Sequence, residues 1–299
     1  MLDPKSRTDL EPLALQLEAS GEYRVLRRFT PRDSYGEAAG ESIGRGVVLD
    51  VETTGLSSQA DAILELALLP FTFTRRSGRV LEVSPAVSFL EDPGRPIPPE
   101  VVALTGITDQ MVAGHQIEDA RVTEICTPVE LVVSHNAAFD RAFVDQRFEV
   151  LRKKLWACSF RDVPWQAFGR RSLALESLLA THCGAFFNAH RATDDCRATL
   201  HLLATALPSG EQPFEYLLAS ARTSTVRVRA VNTPYETKDI LRARGYRWDP
   251  GDIDHAKAWC VELPEIQKDA ELVWLDANVY RGRGKAGIEP VDPLTRYLR

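Results

Sequence analysis

Apolar positions along this chain change their spacing several times, and the changes mark out its elements. Residues 46–50, Gly-Val-Val-Leu-Asp, form an unbroken apolar run closed by an acid, the pattern of a central strand buried on both faces. Two longer apolar stretches, 63–73 and 80–90, are joined by Arg75-Arg-Ser-Gly78 and predict two strands with a turn between them. Glu130-Leu-Val-Val-Ser134 predicts another short buried strand. Elsewhere the spacing becomes helical. Phe139, Phe143 and Phe148 mark one helix, Leu173, Leu175, Leu178 and Leu179 a second, and Ala198, Leu202 and Leu203 a third. Strands first, then helices interleaved with strands, predict an α/β class fold with a mixed sheet flanked by helices.

The pattern also divides the chain. Residues 1–44 combine an amphipathic stretch (Leu10, Leu13, Leu15, Leu17) with a polar connector and read as an N-terminal extension. The main α/β domain is expected over 45–207, and Pro208-Ser-Gly-Glu-Gln-Pro213 opens an expected linker over 208–224. A small α+β module follows over 225–280: a strand at 226–231, a helix at 235–244 ended by Gly245, strands at 246–248 and 258–262, and a helix at 264–275 opening on Pro264. Residues 281–299, with Arg281-Gly-Arg-Gly-Lys285, read as a flexible tail.

Composition narrows the class. An apolar share of 44% and a charged share of 26% over 299 residues are those of an ordinary globular protein. The start, MLDPKSRTDLEP, lacks an apolar h-region, so no signal peptide is expected. The best apolar run, 63–73, is interrupted by Glu65 and Pro70 and is too short for a bilayer, which needs about 20 residues; no membrane association is expected. Five cysteines without a CxxC predict neither a zinc site nor a disulfide framework, and place the chain in a reducing cytoplasm. The net charge of −6 argues against coating long nucleic acid by charge alone. Residues 221–299 carry 14 Lys+Arg and 12 Asp+Glu, a net of +2, which leaves −8 for the rest.

The candidate chemistry lies in that acidic part. Asp50 and Glu52 stand at i and i+2 on the first strand, so both carboxylates share a face and repel unless a cation lies between them. A strand that has merely reached solvent is the ordinary alternative, and the pair alone weighs evenly between the two. Thr53-Thr-Gly-Leu56 shifts the balance, because a glycine turn brings amides and hydroxyls beside the acids, groups suited to holding a nucleotide. His135-Asn-Ala-Ala-Phe-Asp140 leaves the next buried strand and opens a helix, from whose first turn Asp140 projects. By itself Asp140 would read as an acid favoured by the helix dipole, worth about 0.3–1 kcal/mol. In His190-Arg-Ala-Thr-Asp-Asp195, a helix over 192–203 would put Asp195 on the face of Ala192, Ala198, Thr199 and Leu202. Asp194 would share the more polar face of Arg197 and His201, so Asp195 is the expected inward acid. Carboxylates converging from separate segments suit hard divalent cations, and a nearby neutral imidazole, with an ordinary pKa of about 6.5, suits a general base.

Taken together, Asp50-Val-Glu-Thr-Thr-Gly-Leu, Leu104-Thr-Gly-Ile-Thr108, His135-Asn-Ala-Ala-Phe-Asp140 and His190-Arg-Ala-Thr-Asp-Asp195 resemble the motifs of the histidine-type DEDD 3′→5′ exonucleases. Within that family the chain is most similar to proteins like the epsilon proofreading subunit of bacterial DNA polymerase III. The resemblance covers roughly residues 45–205, with the motifs in order. It implies a ribonuclease-H-like fold and two Mg²⁺ or Mn²⁺ ions. It implies Asp50, Glu52, Asp140 and Asp195 as metal ligands and His190 as the base. Thr53, Thr54, Gly55 and Leu56 would hold the terminal nucleotide, with Thr105, Gly106, His135 and Asn136 lining the site. The expected partner is a nucleic-acid 3′ end, DNA in the first instance, hydrolysed to nucleoside monophosphates. No clamp- or polymerase-binding segment is found, so association with either has no motif behind it.

Two other readings remain open from the residues alone. One is an exoribonuclease of the same chemistry, because motif spacing says nothing of the sugar 2′-OH. The other is a nonhydrolytic protein that binds nucleic-acid ends, against which stands the retention of all five chemistry-bearing residues. In the C-terminal module, Lys238-Asp-Ile-Leu-Arg-Ala-Arg-Gly-Tyr-Arg-Trp248 and Lys257-Ala-Trp-Cys260 interleave basic and aromatic residues. They read first as the core of a small domain and second as a nucleic-acid surface.

Overall fold

The computed structural model describes residues 10–251 and 255–298. The charged start over 1–9, on which the signal-peptide expectation rests, lies outside the described residues, as do 252–254 and Arg299. Two compact units divide between Leu218 and Ala219.

The first unit is built on a mixed sheet. Its central strand is β1 (Ile43–Thr53), antiparallel to β2 (Ile63–Thr74) on one side and parallel to β5 (Leu131–Ser134) on the other. Beyond β5, β6 (Leu155–Cys158) continues the sheet in parallel. On the other edge β3 (Val80–Val83) and β4 (Val87–Leu90) pair with successive parts of β2. The single strand expected over 80–90 is thus two, parted at Ser84-Pro85-Ala86, where proline has no N–H to give a ladder. Val47, Val48 and Leu49 are buried from both faces, which is why the run is apolar without alternation. Gly44 and Gly46 lie opposite Phe73 and Phe71, so close that an added Cβ would meet the Phe71 ring at 2.4 Å.

Helices complete the layers. Helix α4 (Ala137–Val144) follows β5, and α5 (Ala192–Ala204) lies across β1 and β2. The helix expected through Phe148 stops at Val144, and a separate turn of helix begins at Glu149. Helices α2 (Pro99–Thr105) and α3 (Asp119–Cys126), between β4 and β5, were not legible from the spacing. Helix α1 (Glu11–Ala19) buries none of its residues, with Leu10, Leu13 and Leu15 exposed around it. The segment after it is more than a connector. Arg27–Arg28 pairs with Ala185–Phe186, and the Tyr35 hydroxyl meets His201 Nδ1 at 2.9 Å.

Where a linker was expected, α6 (Pro213–Ala221) begins with Pro213 at its first position. The Gln212 N–H donates to the Glu215 carboxylate at 2.9 Å, and Phe214 packs on Phe71 and Phe73 with ring centroids 5.5 and 5.3 Å away.

The second unit runs β7 (Thr225–Val231), α7 (Lys238–Ala243), β8 (Arg247–Asp249), β9 (Ala258–Pro264), α8 (Lys268–Leu275) and β10 (Gly287–Val291). The sheet order is β8-β9-β7-β10, all antiparallel, a β-α-β-β-α-β unit. Its core joins Val226, Val228, Leu241, Tyr246, Trp259, Leu275 and Tyr280. The stretch read as a tail supplies edge strand β10, whose Pro290 suits an edge. Among the described residues no helix is long and apolar enough to cross a membrane.

Candidate active site

Strand β1 outruns its parallel neighbour, and the site forms where it does. The β1–β5 pairing ends at Val48 and Val133. Beyond it, side chains take over the backbone partners that the sheet no longer supplies. The Ser134 hydroxyl donates to the Leu49 carbonyl at 2.6 Å, and the Val51 N–H donates to Asp140 Oδ1 at 3.2 Å. Asn136, in left-handed conformation at φ 74°, turns the chain from β5 into α4 and so brings Asp140 back to β1. Asp195 sits in the first turn of α5, where its Oδ2 accepts from the Arg191 N–H at 3.0 Å.

Asp50, Glu52 and Asp195 each offer an oxygen within 4.8 Å of the others. Asp140 stands beside them, buried, and is the strongest charge acting on Asp50. Asp194 points elsewhere, half-exposed and 3.5 Å from Arg197.

Burial and mutual repulsion set the electrostatics. Loss of hydration, then the charges of Asp140, Asp195, Glu52 and Glu65, hold Asp50 well above the carboxylate range. Asp140 is also raised, by burial foremost and against the hydrogen bond from Val51. Burial with the charges of Asp195 and Glu65 pushes Glu52 up to about 8, and burial pushes Asp195 up to about 7. So many proton-holding acids in one place suit a cation-binding centre, because a divalent ion would restore each to its charged form.

This arrangement predicts a pH dependence of stability without added metal. An acid whose folded pKa is raised keeps a proton that the unfolded chain has released, so stability falls as pH rises towards the folded value. Half-buried His135 and His201, both held down to about 4 by desolvation, act in the opposite sense below about pH 6.5. Above that pH the carboxylates act alone. Thermal unfolding in chelator should therefore show a loss on the order of 1–3 kcal/mol between about pH 6.5 and about pH 8. Millimolar Mg²⁺ should flatten the slope; equal slopes with and without metal would count against a cation site.

Glu65 belongs to the same centre, although the sequence reading used it only to interrupt an apolar run. It faces Glu52 across the β1–β2 ladder and is 2% exposed. Its Oε1 accepts from the Ser88 hydroxyl, while its Oε2 has no hydrogen-bond partner and lies 3.6 Å from Arg191 Nε. A glutamate inside a buried strand was the available signal, since a buried acid needs a partner. Arg191 thus links Glu65, through its side chain, to Asp195, through its amide.

His190 precedes Arg191 in left-handed conformation at φ 67°, with its ring exposed and without a hydrogen bond among the described residues. His135 differs. Its ring bridges the Ser159 hydroxyl at 2.7 Å and the Leu173 carbonyl at 3.0 Å, and burial keeps it neutral. The loop after β1 is held from within. Thr53 donates to the Gly55 carbonyl at 2.6 Å, and Thr54 Oγ1 meets Asp61 at 3.2 Å and Arg95 at 3.0 Å. An added Cβ on Gly55 would meet Asp61 Oδ2 at 2.5 Å. With both hydroxyls engaged, the loop presents Leu56, 88% exposed. Thr105 is likewise turned inward, between the Val101 carbonyl and the Ile107 N–H, and Gly106 caps α2 in left-handed conformation. Asp61 and Arg95, which hold this loop, carried no signal in the sequence reading.

Comparison with known proteins gives the family. The family described as Exonuclease matches residues 47–203, all within the first unit. The chain belongs to this exonuclease family. Among relatives within reach of the exonuclease family, a PolC-type DNA polymerase III of Clostridium perfringens is 33% identical over 162 residues, 52% of this chain. The match spans only 11% of that relative's length. The DNA polymerase III epsilon subunit of Treponema pallidum is 27% identical over 190 residues, covering 60% of this chain and 83% of the relative. Solved structures similar to the chain include exonuclease X in complex with 5′-overhanging duplex DNA, at 24% identity and a TM-score of 0.41, covering 57% of this chain and 99% of that one. The mixed sheet flanked by helices is the α/β class expected from the sequence.

Proposed function

We propose that the chain is a metal-dependent 3′→5′ exonuclease acting on DNA ends, with its chemistry carried by residues 45–207. The observation that carries this reading is the carboxylate cluster of Asp50, Glu52 and Asp195, with Asp140 against it, in an exonuclease-family domain. Asp50, Glu52, Asp140 and Asp195 would hold two divalent cations, Mg²⁺ or Mn²⁺. Bound there, such ions would offset the repulsion among the acids and stabilise charge on the attacking and leaving oxygens of a phosphodiester. The residues of the chain do the rest. Asp140 is fixed by the Val51 amide and Asp195 by the Arg191 amide, so the donor oxygens are placed before substrate arrives. His190 is the general base for the attacking water, and its exposed ring, unbonded among the described residues, is able to turn towards a bound end. Leu56 offers an apolar surface to the terminal base, and Thr53, Thr54, Gly55, Thr105, Gly106, His135 and Asn136 are the further substrate contacts that the family resemblance implies.

The relatives named as DNA polymerase III proteins support DNA as the substrate and leave open service beside a polymerase. The test is digestion of oligomers labelled at either end. A 5′ label should yield a ladder that shortens progressively, and a 3′ label should appear at once as mononucleotide. Immediate mononucleotide from the 5′ label would reverse the polarity. Faster loss of a matched RNA would move the assignment to an exoribonuclease, and binding without Mg²⁺-dependent hydrolysis would leave an end-binding protein.

A further inference from the structure

The second unit carries two rings and two cations that its own core leaves unburied, beside a third ring inside it. Trp248 on edge strand β8 lies opposite Trp259 on β9, their centroids 5.6 Å apart and edge to face. Trp259 is buried in the core, but Trp248 is 52% exposed. Arg242 on α7 lies over the Trp259 ring at 5.4 Å. One turn earlier, the Lys238 ammonium stands 4.1 Å above the ring of Tyr235, itself 77% exposed. Tyr235 and Trp248 are thus exposed rings, and Lys238 and Arg242 are cations set against aromatic faces. The Arg242 charge is offset only loosely, by a 3.9 Å contact to exposed Asp239.

Packing explains Trp259 and does not explain the other two rings. Half of Trp248 and most of Tyr235 face water at a standing hydrophobic cost, with neighbouring cations already desolvated in part by the aromatic faces. Flat rings spaced with positive charges match a chain of bases linked by phosphates. They match an unpaired strand only, because the faces of paired bases are covered by their neighbours in the stack. We propose that this face of the second unit binds single-stranded DNA, with bases on Trp248 and Tyr235 and phosphates at Lys238 and Arg242. The choice of DNA rests on the reading of the first unit as a DNA exonuclease. The local net charge of +2 over residues 221–299, beside −8 elsewhere, gives the strand reason to prefer this end of the chain.

The test uses the whole protein in chelator, so that nothing is hydrolysed. Binding of fluorescent oligothymidylate is followed by anisotropy. Trp248→Ala and Tyr235→Ala should each weaken binding about ten-fold, as loss of one stacked base does, and Trp248→Phe should recover most of it. A duplex of equal length should bind less tightly and hardly notice the substitutions. If Trp248→Ala lowers the melting temperature enough to unfold the unit, Tyr235→Ala, at an exposed position, decides alone. Unchanged affinity in Tyr235→Ala and Trp248→Ala overturns the proposal, as does equal loss for single strand and duplex, which would be charge without stacking. Tighter binding of oligouridylate would overturn the assignment to DNA. Mg²⁺-dependent hydrolysis of a short oligomer by the unmodified protein reports on the nuclease reading separately, so either can fail without the other.

Discussion

Asp50→Asn should lower hydrolysis about 10³-fold or more while making the metal-free protein more stable. The substitution keeps the shape of the side chain and removes the charge at the centre of the carboxylate cluster, where Asp140, Asp195, Glu52 and Glu65 all act on it. Cation stabilisation of a phosphoryl transition state is worth several kcal/mol, and each 1.36 kcal/mol is ten-fold in rate. In the folded chain burial and its acidic neighbours hold Asp50 in its protonated form, at a cost that asparagine does not bear. In chelator near pH 8 the variant should therefore melt above the unmodified protein, and added Mg²⁺ should narrow the gap. The control is Asp194→Asn. That carboxylate is half-exposed and pairs with Arg197, so activity should stay within about two-fold, as expected of a surface pair worth little. A severe Asp194→Asn beside a mild Asp195→Asn would mean that α5 presents its other face to substrate. Retained activity in Asp50→Asn would remove the cluster from the chemistry.

The parts of this arrangement that could be read from the sequence are those fixed by local periodicity. An unbroken apolar run means a strand covered on both faces, and β1 occupies the middle of the sheet. The helical spacing of Ala192, Ala198, Thr199 and Leu202 was enough to separate Asp195 from Asp194, because those residues are buried against the sheet. The missing parts depend on partners distant in sequence. Nothing near Glu65 announces Arg191, and nothing near Thr54 announces Asp61 and Arg95, so the bonds by which the Thr54 hydroxyl braces its loop were not legible. One proline misled. Pro213 read as a break, but it stands at the opening of a helix, where its missing N–H costs nothing. Glu215 two residues after Pro213 was the signal for a helix start, since its carboxylate accepts the Gln212 N–H. In the second unit the residues given to a tail make an edge strand whose short alternating stretch, Gly287–Val291, is stabilised by β7 rather than by its own pattern.

His190→Ala should slow the chemical step about 10²–10⁴-fold, the range expected when a positioned proton acceptor is lost. The backbone makes this residue unusual before its chemistry is considered. A non-glycine residue held at φ 67° is strained, and the segment that holds it is pinned on its C-terminal side by Arg191, whose amide is bound to Asp195 and whose guanidinium faces Glu65. The ring itself is exposed and unbonded among the described residues, so its removal should leave the melting temperature almost unchanged. Single-turnover hydrolysis and calorimetric titration with Mn²⁺ separate the roles. As a base, His190 should lower the rate at saturating metal while the affinity for Mn²⁺ is kept. If weaker Mn²⁺ binding accounts for the whole loss, the imidazole is a ligand and the base must be sought elsewhere. Glu65→Gln supplies the comparison. It removes the acidic partner of Arg191 and leaves the His190 ring in place, so the rate should fall in the same direction and by less, about ten-fold, as for residues that position a reacting group. A Glu65→Gln loss equal to that of His190→Ala, with His190→Ala adding nothing further in the double variant, would show that Arg191 and His190 act as one element. Additive losses would show instead that Glu65 works on the carboxylates and not through the histidine.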